Sequence, residues 1–136
     1  MGIDLRTDVF VPVLARIRER AESLHNIKRF PRTGIEAWFK VEIVAVLGNK
    51  VKALQNKGPD LKFEDGTEVE LKAATDFNKA WFIVEPIRKY GVPCFFLGDG
   101  TGQTEDTPPS GDDFEVVGWK LFSNGEWVIG LVKPRR

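Results

Sequence analysis

At 136 residues, with 42% hydrophobic residues and ten phenylalanines, the chain has the length of one domain that buries its own core, and it holds no apolar run long enough to cross a bilayer. One histidine, His25, and one cysteine, Cys94, argue against histidine-built zinc sites, Ser-His triads and Cys-His dyads, and exclude an internal disulfide. The formal net charge is zero, yet residues 1–58 carry eleven Lys and Arg against six acids, residues 59–97 five against seven, and residues 98–136 four against seven, so the bases lie ahead of an acidic remainder.

In chain order, Pro12 and the helical spacing of Val13, Leu14, Ile17, Ala21 and Leu24 predict a first helix over residues 12–25. Its Arg16, Arg18 and Arg20 form a solvated basic face or a phosphate-contacting one. Lys28, Arg29 and Arg32 follow in a connection and are better contact candidates, joined by Lys50, Lys52 and Lys57. A second helix is predicted over residues 35–47, capped by Thr33 and stopped at Gly48, with Ile35, Trp38, Phe39, Ile43, Val46 and Leu47 on a wide apolar stripe that assigns Trp38 to the core. A short strand over 51–55 leads into a hairpin. Beyond it, a third helix over 77–90 must accommodate Pro86, and a buried strand over 95–98 follows the turn at Gly91, parallel to an earlier strand. Cys94, in an apolar run, reads as a buried structural thiol. Residues 98–113, rich in Gly, Pro, Thr and acid, read as a mobile loop. It lacks the lysine and helix onset of a phosphate cradle. Ser123-Asn124-Gly125 signals a C-terminal hairpin joining strands over 114–122 and 126–132, with Trp119 and Trp127 packed in it and a basic tail over 133–136.

The hairpin between the second and third helices carries the chemistry. Leu61 and Phe63 alternate with Asp60 and Lys62, and Val69, Leu71 and Ala73 alternate with Glu68, Glu70 and Lys72. A three-residue loop, Glu64-Asp65-Gly66, puts Phe63 opposite Thr67, Leu61 opposite Val69 and Asp60 opposite Glu70, with both apolar sets on one face; a two-residue turn would mix them with the charged set. Carboxylates directly opposite each other repel unless a cation joins them, and all-oxygen ligation suits Mg²⁺ or Mn²⁺. Thr33-Gly34-Ile35-Glu36 reads as a capping box, which leaves Glu36 between a helix cap and a catalytic carboxylate.

Pro59-Asp60 followed by Glu70-Leu71-Lys72 resembles the motif of the PD-(D/E)xK nuclease superfamily, over about residues 33 to 98. The resemblance implies a restriction-endonuclease-like α/β fold, a mixed central sheet flanked by helices. It also implies a metal held by Asp60, Glu70 and the Leu71 carbonyl, Lys72 as the residue assisting the attacking water, and Glu36 as a further acid from the preceding helix.

The expectation is therefore a single domain over residues 1–136 that hydrolyses phosphodiester bonds, chiefly in DNA, with Mg²⁺ or Mn²⁺. A homodimer would place two sites on two strands. With no leader pattern at the start, the expected location is cytoplasmic and off the membrane. The neutral net charge and acidic C-terminal third favour an alternative, a non-catalytic or partner-dependent nucleic-acid-binding module on a nuclease-like scaffold.

Overall fold

The computed structural model describes residues 2–23, 32–54, 59–74, 87, 89–99, 113–122 and 127–135. Near the start, Asp4 accepts hydrogen bonds from the Arg6 and Thr7 N–H groups at 3.0 Å each and so initiates a π-helical turn, Leu5–Phe10, that hydrophobic periodicity does not reveal. This turn runs directly into α1, Val11–Glu19, with Pro12 in its first turn. Helical geometry breaks at Arg20 and resumes over residues 21–23; the remainder of the predicted helix lies outside the described residues.

The second helix, α2, spans Arg32–Leu47. It begins before Thr33, so Thr33 falls within the helix and not at its cap, and the expected capping-box register is lost. Ile35, Phe39 and Ile43 are fully buried, and Trp38 packs against them from a partly buried position. Glu42 points the other way, toward α1. It is 4% exposed, and its carboxylate accepts from Arg16 Nε at 2.6 Å and lies 3.5 Å from Arg20 Nε. The basic face predicted for the first helix is thus in good part an internal clamp between helices, because a buried carboxylate is tolerated only when paired.

The strands are β1 (Val51–Ala53), β2 (Leu61–Phe63), β3 (Glu68–Ala74), β4 (Cys94–Asp99), β5 (Phe114–Phe122) and β6 (Trp127–Pro134), joined in one sheet in the order β1-β2-β3-β4-β6-β5. All neighbours are antiparallel except β3 and β4, which run parallel as the helix-to-strand step suggested. The chain is therefore mixed α/β with a mixed sheet. Gly98 and Asp99 belong to β4 and not to the acidic loop; residues 100–112 lie outside the described ones, as do most of the predicted third helix, including Pro86, and the turn at 123–125. The predicted tail is partly strand: Lys133 and Pro134 extend β6, Lys133 Nζ sits 3.1 Å from Glu115, and Arg135 Nη2 donates to the Phe114 carbonyl.

Alternation divides the core across the sheet. On one face, Leu61, Phe63, Val69, Leu71, Phe95, Leu97, Trp127, Ile129 and Leu131 pack with α1 and α2, and the Phe39 ring meets Phe95 edge-on at 5.1 Å. On the other, Cys94, Phe96, Phe114, Val128 and Val132 cluster with Ile87. There Gly130 of β6 is flanked in register by Phe96 and Trp119, whose rings stack at 6.2 Å and 8°. A methyl group on Gly130 would land on the Trp119 ring. Gly130→Ala should therefore cost about 1–3 kcal/mol, the range for overpacking, and lower the melting temperature by several degrees. An unchanged melt would show that Trp119 does not lie over Gly130.

Candidate active site

The hairpin that carries the motif forms as its alternation requires. Gly66 takes φ +91°, its N–H bonds the Phe63 carbonyl at 2.9 Å, Phe63 N–H bonds the Thr67 carbonyl at 2.8 Å, and Leu61 faces Val69. Asp65 fixes the loop by accepting from Thr67 N–H at 2.9 Å and from Ile3 N–H at 2.8 Å.

Asp60 departs from the ladder. Its N–H bonds the Val69 carbonyl at 3.1 Å, although Val69 is already the register partner of Leu61, and its own carbonyl accepts from Leu54 N–H at 2.8 Å. The side chain then does what the next β2 carbonyl would have done: Oδ2 accepts the Leu71 N–H at 3.0 Å. Asp60 is thereby held from three sides at the point where β2 ends and β3 continues.

Glu70 lies on the face of β3 that carries Cys94 and Phe96 of β4, and it is only 8% exposed. Burial pushes its carboxyl up from 4.5 to about 8, reinforced by a hydrogen bond to Asp60 and by repulsion from it, while Lys72 offsets only part of the rise. The shift favours the protonated form of Glu70 at neutral pH, with the Asp60 carboxylate beside it. Burial also raises the Cys94 thiol, and the charges of Glu70, Lys72, Asp60 and Glu36 act on it in smaller measure. The thiol is fully buried, as the sequence implied.

Lys40 was not singled out from the sequence. Its Nζ lies 3.7 Å from Asp60 Oδ1, one helical turn beyond Glu36, so α2 supplies a base to the site. The readable signal was spacing: Glu36 and Lys40 stand at i, i+4 on one side of the helix, apart from Glu42.

The metal expectation meets a mixed donor set. Among the described residues no group of three or more His, Cys, Asp or Glu side chains stands ready to hold an ion. Asp60 and Glu70 supply a carboxylate pair, and the remaining ligands would have to be backbone, water or phosphate oxygens, a set that fits Mg²⁺ or Mn²⁺. Leu71 contributes its N–H to Asp60 and its side chain to the core, leaving only its carbonyl for the predicted role. Of the predicted phosphate contacts, Lys28, Arg29, Lys57 and the Arg32 side chain lie outside the described residues. Lys50 is exposed beside a cavity of about 350 Å³ that it lines with Asp8, Glu64 and Asp65, an acidic setting poor for phosphate. Lys52 is exposed on β1 opposite Lys62. Comparison with protein-family models, curated proteins and solved structures finds no match to this chain.

Because the folded protein holds the Glu70 proton more tightly than the unfolded chain does, the stability tied to this group is complete below about pH 4.5 and is lost as pH rises toward 8. A tenfold difference in proton affinity between the two states is worth about 1.4 kcal/mol, so the loss is on the order of a few kcal/mol at most. Glu70→Gln should melt higher than wild type at pH 8–9, and the difference should shrink toward pH 4–5. Thermal denaturation followed by circular dichroism across this range checks it, and a variant less stable than wild type at pH 8 would refute the buried proton.

Proposed function

We propose that the protein is a metal-dependent nuclease of restriction-endonuclease-like fold that hydrolyses phosphodiester bonds in DNA. The observation that carries the reading is the placement of Asp60, fixed by the Leu71 N–H at 3.0 Å, beside the buried Glu70, so that two carboxyl groups share one end of the β2–β3 pair and repel each other. A structural pair gains nothing from that repulsion; a cation site explains it. The element order supports the same reading, with helix α2 leading into the antiparallel β1, β2 and β3, and β4 parallel to β3.

Asp60 and Glu70 would hold Mg²⁺ or Mn²⁺, assisted by the Leu71 carbonyl; when bound, such an ion lowers the pKa of a water and polarises the scissile phosphate. Lys72, half-buried on the Glu70 face of β3, orients the attacking water and offsets the charge that builds on the phosphate oxygens. The water gives up a proton as its oxygen bonds to phosphorus, the P–O bond to the leaving sugar breaks, and the leaving oxygen takes up a proton, so that water is split between the two products. Glu36 helps to position the water from α2. Lys40, which lies 3.7 Å from Asp60, would be within reach of a non-bridging phosphate oxygen if an ion took its place beside that carboxylate. A homodimer of such domains would address both strands of a duplex.

A specific contact favours a second reading. Lys40 already lies against Asp60, as a permanent counter-ion would in a nuclease-like scaffold that has become a binding module. The two readings separate on Lys40→Met: in a working site the loss of a competing cation tightens Mn²⁺ binding measured by calorimetry, whereas in a filled, inactive site Mn²⁺ does not bind either protein.

For the nuclease itself, Asp60→Asn and Glu70→Gln should each abolish Mg²⁺-dependent cleavage of DNA while leaving the fold intact. Lys72→Met should lower the rate by about 100-fold or more, within the range for positioned acid–base groups, yet keep Mn²⁺ affinity. Glu36→Gln should cost about tenfold, equivalent to about 1.4 kcal/mol of transition-state stabilisation. Incubation of wild type with linear, single-stranded and branched DNA under Mg²⁺, Mn²⁺ or EDTA is the direct test, and absence of metal-dependent cleavage on every substrate overturns the proposal.

A further inference from the structure

Lys52 and Lys62 are register partners on β1 and β2, and both side chains are exposed. Residues directly opposite in an antiparallel pair have Cβ atoms about 4.5–5.5 Å apart, and like charges there destabilise the sheet. Neither lysine forms an ion pair with a described residue, whereas Arg16, Arg20, Lys40 and Lys133 all do. An edge-strand lysine has a structural explanation, since it discourages pairing with another chain, and β1 is an edge. That explanation does not reach Lys62, because β2 is paired on both sides; Glu68 across from it on β3 offsets part of its charge but leaves the repulsion from Lys52 in place.

Alternation fixes where the pair points. Val51, Leu61 and Phe63 enter the core beneath α2, so Lys52 and Lys62 project from the opposite face. Lys62 is also the register partner of Glu68, which places this row on the same face as Glu70 and Lys72. The two positive charges therefore sit on the same face as the carboxylate pair, with Lys62 two residues along β2 from Asp60.

We propose that Lys52 and Lys62 form a docking shelf for the phosphodiester backbone of DNA, which leads the strand across β1 and β2 toward Asp60 and Glu70. The choice of DNA as occupant rests on the nuclease reading; the shelf itself rests on the register, the exposure and the like charge of Lys52 and Lys62, neither of which forms an ion pair among the described residues. Glu68, next in the row, works against the strand and marks the limit of the shelf.

The test is binding of fluorescent DNA by the full chain in EDTA, where cleavage is blocked, as a function of salt. Lys52→Gln/Lys62→Gln should weaken binding several-fold and reduce the slope of log Kd against log salt by about two, close to one unit per lost phosphate contact on duplex. Glu68→Gln should tighten binding. Lys52→Gln alone should leave the melting temperature unchanged or raised, because it relieves a repulsion. An unchanged salt slope in the double variant overturns the shelf, and so does a slope that falls for RNA but not for DNA. If wild type cuts DNA while the double variant binds as wild type, the shelf fails and the nuclease stands. If the double variant loses salt-dependent binding but wild type never cuts, the shelf stands and the nuclease fails.

Discussion

The site depends on one hydrogen bond, from the Leu71 N–H to Asp60 Oδ2 at 3.0 Å. A backbone N–H at the end of a ladder must find an acceptor, and here a carboxylate takes the place of the strand. That substitution ends β2 early and fixes the Asp60 side chain along β3. It also brings the carboxylate against Glu70 on one side and within 3.7 Å of Lys40 on the other. Replacing Asp60 by a residue that cannot accept would free the N–H as well as remove a charge. Asparagine, which retains an acceptor oxygen, is for this reason the informative substitution and alanine the ambiguous one.

The rest of the architecture holds β3 still enough for this to matter. Val69, Leu71 and Ala73 lock one face beneath α2, and the parallel pairing with β4 locks the register of Glu70 against Cys94 and of Lys72 against Phe96. A one-residue slip would bury Lys72 in the apolar layer, so the hydrophobic pattern defends the geometry of the charged one. The buried Glu70 is unfavourable when ionised, and the packing of β3 carries that cost. This is the usual relation between a strained polar site and the core that supports it.

The sequence made the hairpin legible because period-two alternation and a glycine that needs positive φ constrain the same few residues; Leu61 opposite Val69 and Gly66 in the left-handed region follow from both. The departure of Asp60 from the ladder was not legible, since alternation assumes that pairing continues to the end of the strand. Lys40 was hidden by its helix, whose apolar character reads as a packing face, and Arg16 and Arg20 read as solvated because their partner, Glu42, lies on another element 26 positions from Arg16. The insertion of β6 between β4 and β5 likewise has no local signature. Its run from Trp127 to Val132 is buried throughout, as a strand covered on both faces must be, but burial does not specify neighbours.

The zero net charge conceals a local arrangement that the fold sorts by use. Arg16 and Arg20 are consumed by Glu42, Lys133 by Glu115, and Lys50 stands among acids. Among the described residues, the face of Glu70 carries Lys72 and a row of Lys52, Lys62 and Glu68, beside a carboxylate pair whose mutual repulsion a divalent cation would relieve. Under the proposed reading, the groups that would meet a polyanion and a divalent ion lie within the same few strands. Within about a Debye length, near 8 Å at physiological salt, it is this local field and not the total charge that an approaching phosphate meets. The neutral total is therefore no argument by itself against a polyanionic ligand.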